Sequence, residues 1–117
     1  MISRQWRGVA KSTDADRYVV HLRTETFPKL AKMAGFVNAV ILRRIVEDGV
    51  EFRIVTTWES VEAIKTFAGE RPETAVVPEQ VKAMMVTYDR TVDHYRLLVG
   101  PSMMSNPTTS LPWSCWW

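Results

Sequence analysis

Trp58 is the residue in this sequence best placed to meet a flat organic molecule. It ends an apolar stretch that starts at Phe52, and Glu59-Ser60 leads straight into an amphipathic run closing on Phe67. An indole placed where a strand leaves a sheet, beside a helix start, forms a natural wall for a cleft. Its face can stack on a planar ring. Trp6 reads as a second wall or as core filler, and Phe67 as a third wall or as plain helix–sheet packing. His21 and His94 are the side chains that titrate near neutrality, so they are the candidates for a general base. Each also reads as a structural or surface histidine. Tyr18 and Tyr88 are of the type that orients a phenol or quinone oxygen. Together these residues suit the binding of a small planar molecule.

Other chemistries lack their residues. There is no Gly-rich phosphate loop and no His-Glu-x-x-His, and the single cysteine, Cys115, has no partner for a zinc site or an internal disulfide. No metal and no cofactor are expected. Ser60 reads as a helix cap rather than a nucleophile. The net charge is +2, from 15 basic and 13 acidic residues spread along the chain, too weak for a nucleic-acid footprint. Arg43-Arg44 reads as a solvated strand end. No apolar run approaches the ~20 residues that span a bilayer, and no signal peptide is evident at the N-terminus. The expected location is the cytoplasm, with no membrane and no nucleic-acid partner. A hydrophobic fraction of 46% is that of an ordinary globular domain, and 117 residues suffice for one.

The elements that must carry these residues follow from periodicity. Residues 2–9 predict a first strand with Ile2, Trp6 and Gly8 on one face, a face that also carries Arg4 and so is not uniformly apolar. Lys11 to Asp14 offers helix caps, and Ala15, Tyr18, Val19 and Leu22 form the buried stripe of a helix over 14–26. Pro28 predicts a kink or restart, and Gly35 a left-handed cap. Residues 36–46 and 50–58 predict an antiparallel hairpin about Glu47-Asp48-Gly49. Residues 60–68 predict a second helix ending at Gly69, 78–85 a further short helix, and 92–99 a fourth strand. The predicted class is α+β: a ferredoxin-like βαββαβ unit, with a four-stranded antiparallel sheet and helices on one face.

Residues 1–99 would form this domain. Residues 100–117 differ: they are rich in Pro and Ser, uncharged, and end in Trp113, Trp116 and Trp117. Apolar residues on both faces of the hairpin, Val40 and Leu42 against Ala39 and Ile41, predict a second copy packed over the open sheet face, hence a homodimer.

Several segments resemble the antibiotic biosynthesis monooxygenase superfamily. They are Trp6-Arg7-Gly8, Asp14-Ala15-Asp16-Arg17-Tyr18, Gly35-Phe36, Glu51-Phe52, Trp58-Glu59-Ser60, Ala63-Ile64, Phe67-Ala68-Gly69 and the stretch from Val92 to Tyr95. The resemblance covers about residues 2–99 and implies a ferredoxin-like domain forming a dimeric α+β barrel. It includes cofactor-independent monooxygenases of aromatic polyketides, heme-degrading enzymes and members of unknown activity. Where the heme-degrading branch has an Asn, a Trp and a His, this chain holds Trp6, Phe67 and Val77, which argues against heme degradation. Trp58 resembles the polyketide branch, but the place of its Asn holds Ile54.

The expected function is cofactor-independent monooxygenation of a phenol, quinol or anthrone-like molecule by molecular oxygen. Trp58, Trp6, Phe67 and Tyr18 would bind it, and His21 or His94 would act as base. The alternatives are a small-molecule-binding or stress-response dimer without turnover and, more weakly, a heme-binding protein.

Overall fold

The computed structural model describes residues 1–100. The Pro/Ser/Trp-rich segment, from 101 on, lies outside the described residues. Strand β1 (Ile2–Ala10) is central and is paired antiparallel along its length with β3 (Gly49–Trp58), Trp6 opposite Ile54 and Gly8 opposite Phe52. Strand β2 (Phe36–Val46) forms the expected hairpin with β3. Even-numbered residues of β1 and β3 point to one face, so Trp6, Phe52, Ile54 and Trp58 share it. All four are buried beneath the helices.

The fourth position of the sheet departs from expectation. Two short strands occupy it instead of one over 92–99: β4 (Met85–Tyr88) pairs with Gly8 to Ala10, and β5 (Asp93–Arg96) pairs with Ile2 to Gln5. The order is β2-β3-β1, with β4 and β5 sharing the far edge of β1. A turn at 89–92 interrupts them, held where Trp6 Nε1 donates to the Asp89 carbonyl at 2.7 Å and Asp89 N–H to Arg7 O at 3.0 Å. The expected helix over 78–85 is one turn, α4 (Glu79–Lys82), because the chain must then extend to pair with β1. The βαββαβ order with helices on one face is otherwise the arrangement expected.

The restart expected at Pro28 takes a particular form. Helix α1 (Ala15–His21) runs into a π-helical turn (Leu22–Thr26), and α2 (Phe27–Ala31) continues from there. Proline has no N–H to give a carbonyl in the preceding turn. The chain meets this by widening upstream: Phe27 N–H reaches five residues back to Leu22 O. Pro28 then sits in the first turn of α2, where a missing donor costs nothing.

Helix α3 (Val61–Ala68) has the expected cap, Ser60 Oγ accepting from Ala63 N–H at 3.2 Å. It docks against the turn before β2 so closely that only glycine fits at 35. Gly35 has φ +86°, and a Cβ there would stand 2.5 Å from Ala63 Cβ.

The buried side chains form two clusters. One holds Trp6, Tyr18, Leu22, Phe52 and Val81; the other holds Leu30, Trp58 and Ile64 with Phe36 and Phe67 against them. Gly35→Ala should destabilise the fold by about 1–3 kcal/mol, from the strained φ and the collision together. Adding Ala63→Gly should recover the collision part. Urea denaturation of both single variants and the double variant should therefore give non-additive losses, whereas additive losses would contradict this packing.

Candidate active site

Between the two clusters lies a cavity of about 70 Å³. The sheet supplies Arg4, Trp6, Ile54 and Thr56 as its floor. Tyr18 and Leu22 close one side, and Thr26, Phe27 and Leu30 another. Phe67, Val76, Val77 and Pro78 form the outer wall. Leu22 and Thr26, four residues apart across the π turn, share the face turned to the cavity. Thr26, Phe67, Val76 and Pro78 also line a neighbouring depression of about 220 Å³, so they lie between the two.

Trp6 holds its position for a local reason. Its indole folds over Gly8, where a Cβ would come 2.4 Å from the ring, and Asp89 O accepts its N–H. Tyr18 is buried, 6.3 Å from Trp6 and edge-on to Phe52 at 4.9 Å between ring centroids. Burial pushes its phenol well above the usual range, so its hydroxyl stays protonated at neutral pH.

Trp58, expected as a wall, is not one. It is fully buried behind the cavity, edge-on to Phe36 at 5.2 Å and stacked on Phe67 at 5.9 Å. Its N–H donates to Thr56 Oγ1 at 2.9 Å, which spares it an unsatisfied buried donor. The indole serves the cavity at one remove, by backing Phe67.

The candidate bases are not on the cavity wall. His21 lies at the outer depression, with Gln80 Nε2 3.4 Å from its Nδ1. The helical stripe turns Tyr18 and Leu22 inward and leaves the residue between them at the rim. His94 lies on β5 directly opposite Arg4, with its Nε2 buried and unpartnered. Desolvation, with Arg4 second, holds its imidazole below the ordinary 6.5, while Glu73 and Asp93 oppose the shift. His94 is therefore neutral at pH 7. Tyr88 packs against the first cluster, away from the cavity lining.

The residue that sequence reasoning passed over is Arg4. Its position on the buried face of β1 was visible, but nothing showed that it would be enclosed. It is 6% exposed and lies over the Phe67 ring, with the guanidinium carbon 5.3 Å from the centroid. Nη2 donates to Thr74 O at 2.9 Å and more weakly to Pro72 O at 3.5 Å, and Nε is buried without a partner. Desolvation pulls its pKa to about 10, leaving it charged at neutral pH.

The open sheet face carries different charges. Glu51 sits between Arg7 and Arg44 and is hydrogen-bonded to both, which holds its carboxyl below the usual range. Among the described residues no group of His, Cys, Asp or Glu could hold a metal ion, and no helix is long and apolar enough to cross a membrane.

No family model matches the sequence, and no curated protein sequence matches it. Solved structures do share its fold over 86% of this chain. A Bacillus cereus protein named as a candidate antibiotic biosynthesis monooxygenase superposes with a TM-score of 0.59 at 19% identity, over 95% of its own length. A point variant of MhuD with two manganese protoporphyrin IX molecules bound per active site gives 0.60 at 14%, over 97% of its chain. The ActVA-Orf6 monooxygenase of Streptomyces coelicolor, in complex with nanaomycin D, gives 0.54 at 18%, over 91%. The chain thus has the ferredoxin-like fold of antibiotic biosynthesis monooxygenase-type proteins, as the resemblance implied.

The depressed His94 has a consequence for stability. Above 6.5 the imidazole is neutral in both folded and unfolded chains. Below it, the unfolded chain takes up a proton that the native one resists, so stability falls with pH. Between pH 7.5 and 5.5, above the range where Glu51 titrates, the wild type should lose thermal stability and His94→Gln should lose less. Equal losses in melting scans would contradict the burial described.

Proposed function

We propose that this protein is a cofactor-independent monooxygenase for a small planar aromatic substrate, bound in the cavity between sheet and helices. The largely apolar cleft is the observation that carries this reading: Trp6 and Tyr18 line it with Leu22, Phe27, Leu30 and Ile54, Phe67 borders it, and its depth partly shelters a ligand from solvent. The fold shared with a monooxygenase that binds nanaomycin D supports it.

In such a reaction the substrate supplies the electrons. A phenol gives its proton to solvent as it enters, and the anion passes one electron to O₂. The two radicals then join through a new C–O bond at the position para to the phenol oxygen. The peroxide anion so formed takes up a proton from solvent, and the hydroperoxide loses water as the ring C–H is broken. The balance is phenol plus O₂ to quinone plus water: one oxygen atom enters the ring and the other leaves as water. The protein's part is to orient the ring and exclude solvent from the intermediates. Tyr18, which stays protonated, donates to the developing oxygen anion.

Volume sets the substrate's size. About 70 Å³ is less than the ~150 Å³ cavity that accommodates benzene in another protein. One ring enters with side-chain movement, whereas an anthrone needs the Val76–Pro78 wall to open. One-ring phenols and quinols are therefore favoured within the expected class. A porphyrin is far larger, and no histidine reaches the cavity to ligate its iron, so these residues do not fit heme.

A non-catalytic binding protein is the second reading. It is favoured by the absence of a histidine on the cavity wall among the described residues. In either case a second copy would cover the open sheet face, where Val40 and Leu42 are about half exposed beside Val55 and Tyr95.

Oxygen-electrode assays with a panel of one-ring phenols and quinols should show protein-dependent uptake. Tyr18→Phe should reduce it by on the order of 10²-fold while the fold persists. Uptake unchanged by heat-denaturing the protein would end the enzymatic reading, and binding without uptake would establish the second. Sedimentation should show a dimer for the wild type and a folded monomer for Val40→Glu. A monomeric wild type at micromolar concentration would contradict the pairing.

A further inference from the structure

Arg4 is a buried cation without a counterion. Every ion pair among the described residues uses other groups, such as Arg7 and Arg44 with Glu51 or Arg43 with Asp16. Glu73 and Asp93, the acidic residues whose fields reach neighbouring His94, are exposed, and neither pairs with Arg4. The two carbonyls of the 72–74 loop engage only Nη2. The face of Phe67 lies against the guanidinium plane. Its Nε is buried and has no acceptor.

The second buried nitrogen without a partner is His94 Nε2. His94 and Arg4 are direct register partners across β5 and β1. The two unpartnered buried side-chain atoms among the described residues thus belong to one cross-strand pair. Arg4 also forms part of the cavity floor.

An uncharged ligand or a water could satisfy Nε as an acceptor, but neither would offset the charge. Leaving an arginine enclosed without an anion is costly, because desolvation is uncompensated. A planar oxyanion answers both needs, and the fork of the guanidinium matches its geometry.

We propose that the cavity selects planar monoanions (aryl carboxylates, phenolates or enolates), with the oxyanion bound by the guanidinium of Arg4. This rests on the reading of the cavity as a ligand site, and it specifies the ionisation state that site accepts. It also removes the need for a histidine on the wall. A cation at the floor stabilises the substrate's anion directly, so the acidic proton can leave to solvent as the molecule enters. His94 is a positioning residue at most: it is neutral and lies behind the guanidinium. Nearby Tyr18 can donate to the same oxyanion, since its phenol keeps its proton.

The test compares benzoate with benzamide, which share ring and shape and differ in charge. By calorimetry, benzoate should bind the wild type at least ~10-fold tighter. Arg4→Met should bring that ratio close to 1, and Arg4→Lys should leave it between, since a point charge lacks the fork. Equal binding of both probes to the wild type would overturn charge selection while leaving the cavity as a ligand site. A preference that survives in Arg4→Met would overturn Arg4 as its source. Binding of neither probe would overturn the inference, and the phenol uptake assay would then report separately whether the cavity is a site at all. Should Arg4→Met fail to fold, the wild-type ratio still decides. In addition, NMR of the wild type should show the Arg4 Nε–H resonance moving with benzoate and not with benzamide. The reverse pattern, or no movement with bound benzoate, would contradict the proposal.

Discussion

An unpaired guanidinium enclosed by a protein needs support from every side, and the interior of this fold is arranged around that need. Arg4 points from the central strand to the helix side of the sheet. Its plane rests on Phe67, and Phe67 is stacked in turn on the fully buried Trp58. Trp58 is tied by its N–H to Thr56, whose hydroxyl donates to the Arg4 carbonyl at 3.4 Å. The stack and the hydrogen bonds form one loop of contacts across β1, β3 and α3. The 72–74 loop closes over the guanidinium from outside. A charge held this rigidly is already oriented, so it has little freedom to lose when an anion arrives.

The cavity owes its shape to two backbone details. The π turn upstream of Pro28 lets the helix continue past the missing donor with Leu22 and Thr26 on the cavity side. The bare Cα of Gly8 lets the Trp6 indole lie flat beside the sheet. Neither detail has a large energetic signature of its own. Each bears on the side chains that line a space of about 70 Å³.

Much of the fold was legible in the sequence because period and punctuation agreed there. The hairpin about Glu47-Asp48, the Ser60 cap and Gly35 lie where alternation and turn chemistry put them. The split of the fourth strand was not legible, since strands of four residues leave too little pattern to read. The π turn was hidden for another reason: Pro28 announces that a donor is missing but not where the helix will make room. Trp58 carries the right residue type for a wall but backs Phe67 instead. Residue type alone does not tell a ring that faces a cavity from one that backs it. Arg4 was seen only as a blemish on an apolar face. Its enclosure depends on the 72–74 loop, about seventy residues away, and no local pattern encodes that contact. The two histidines show the converse, since the right chemistry in the sequence lies off the cavity wall.

The most direct measurement is a crystal structure of the protein with 4-hydroxybenzoate. An anion-selecting cavity predicts the ring beside Trp6 and Tyr18, with a charged oxygen within hydrogen-bonding distance of the Arg4 guanidinium. A ring seated with its carboxylate directed to solvent, or Arg4 swung away onto Glu73 or Asp93, would contradict it.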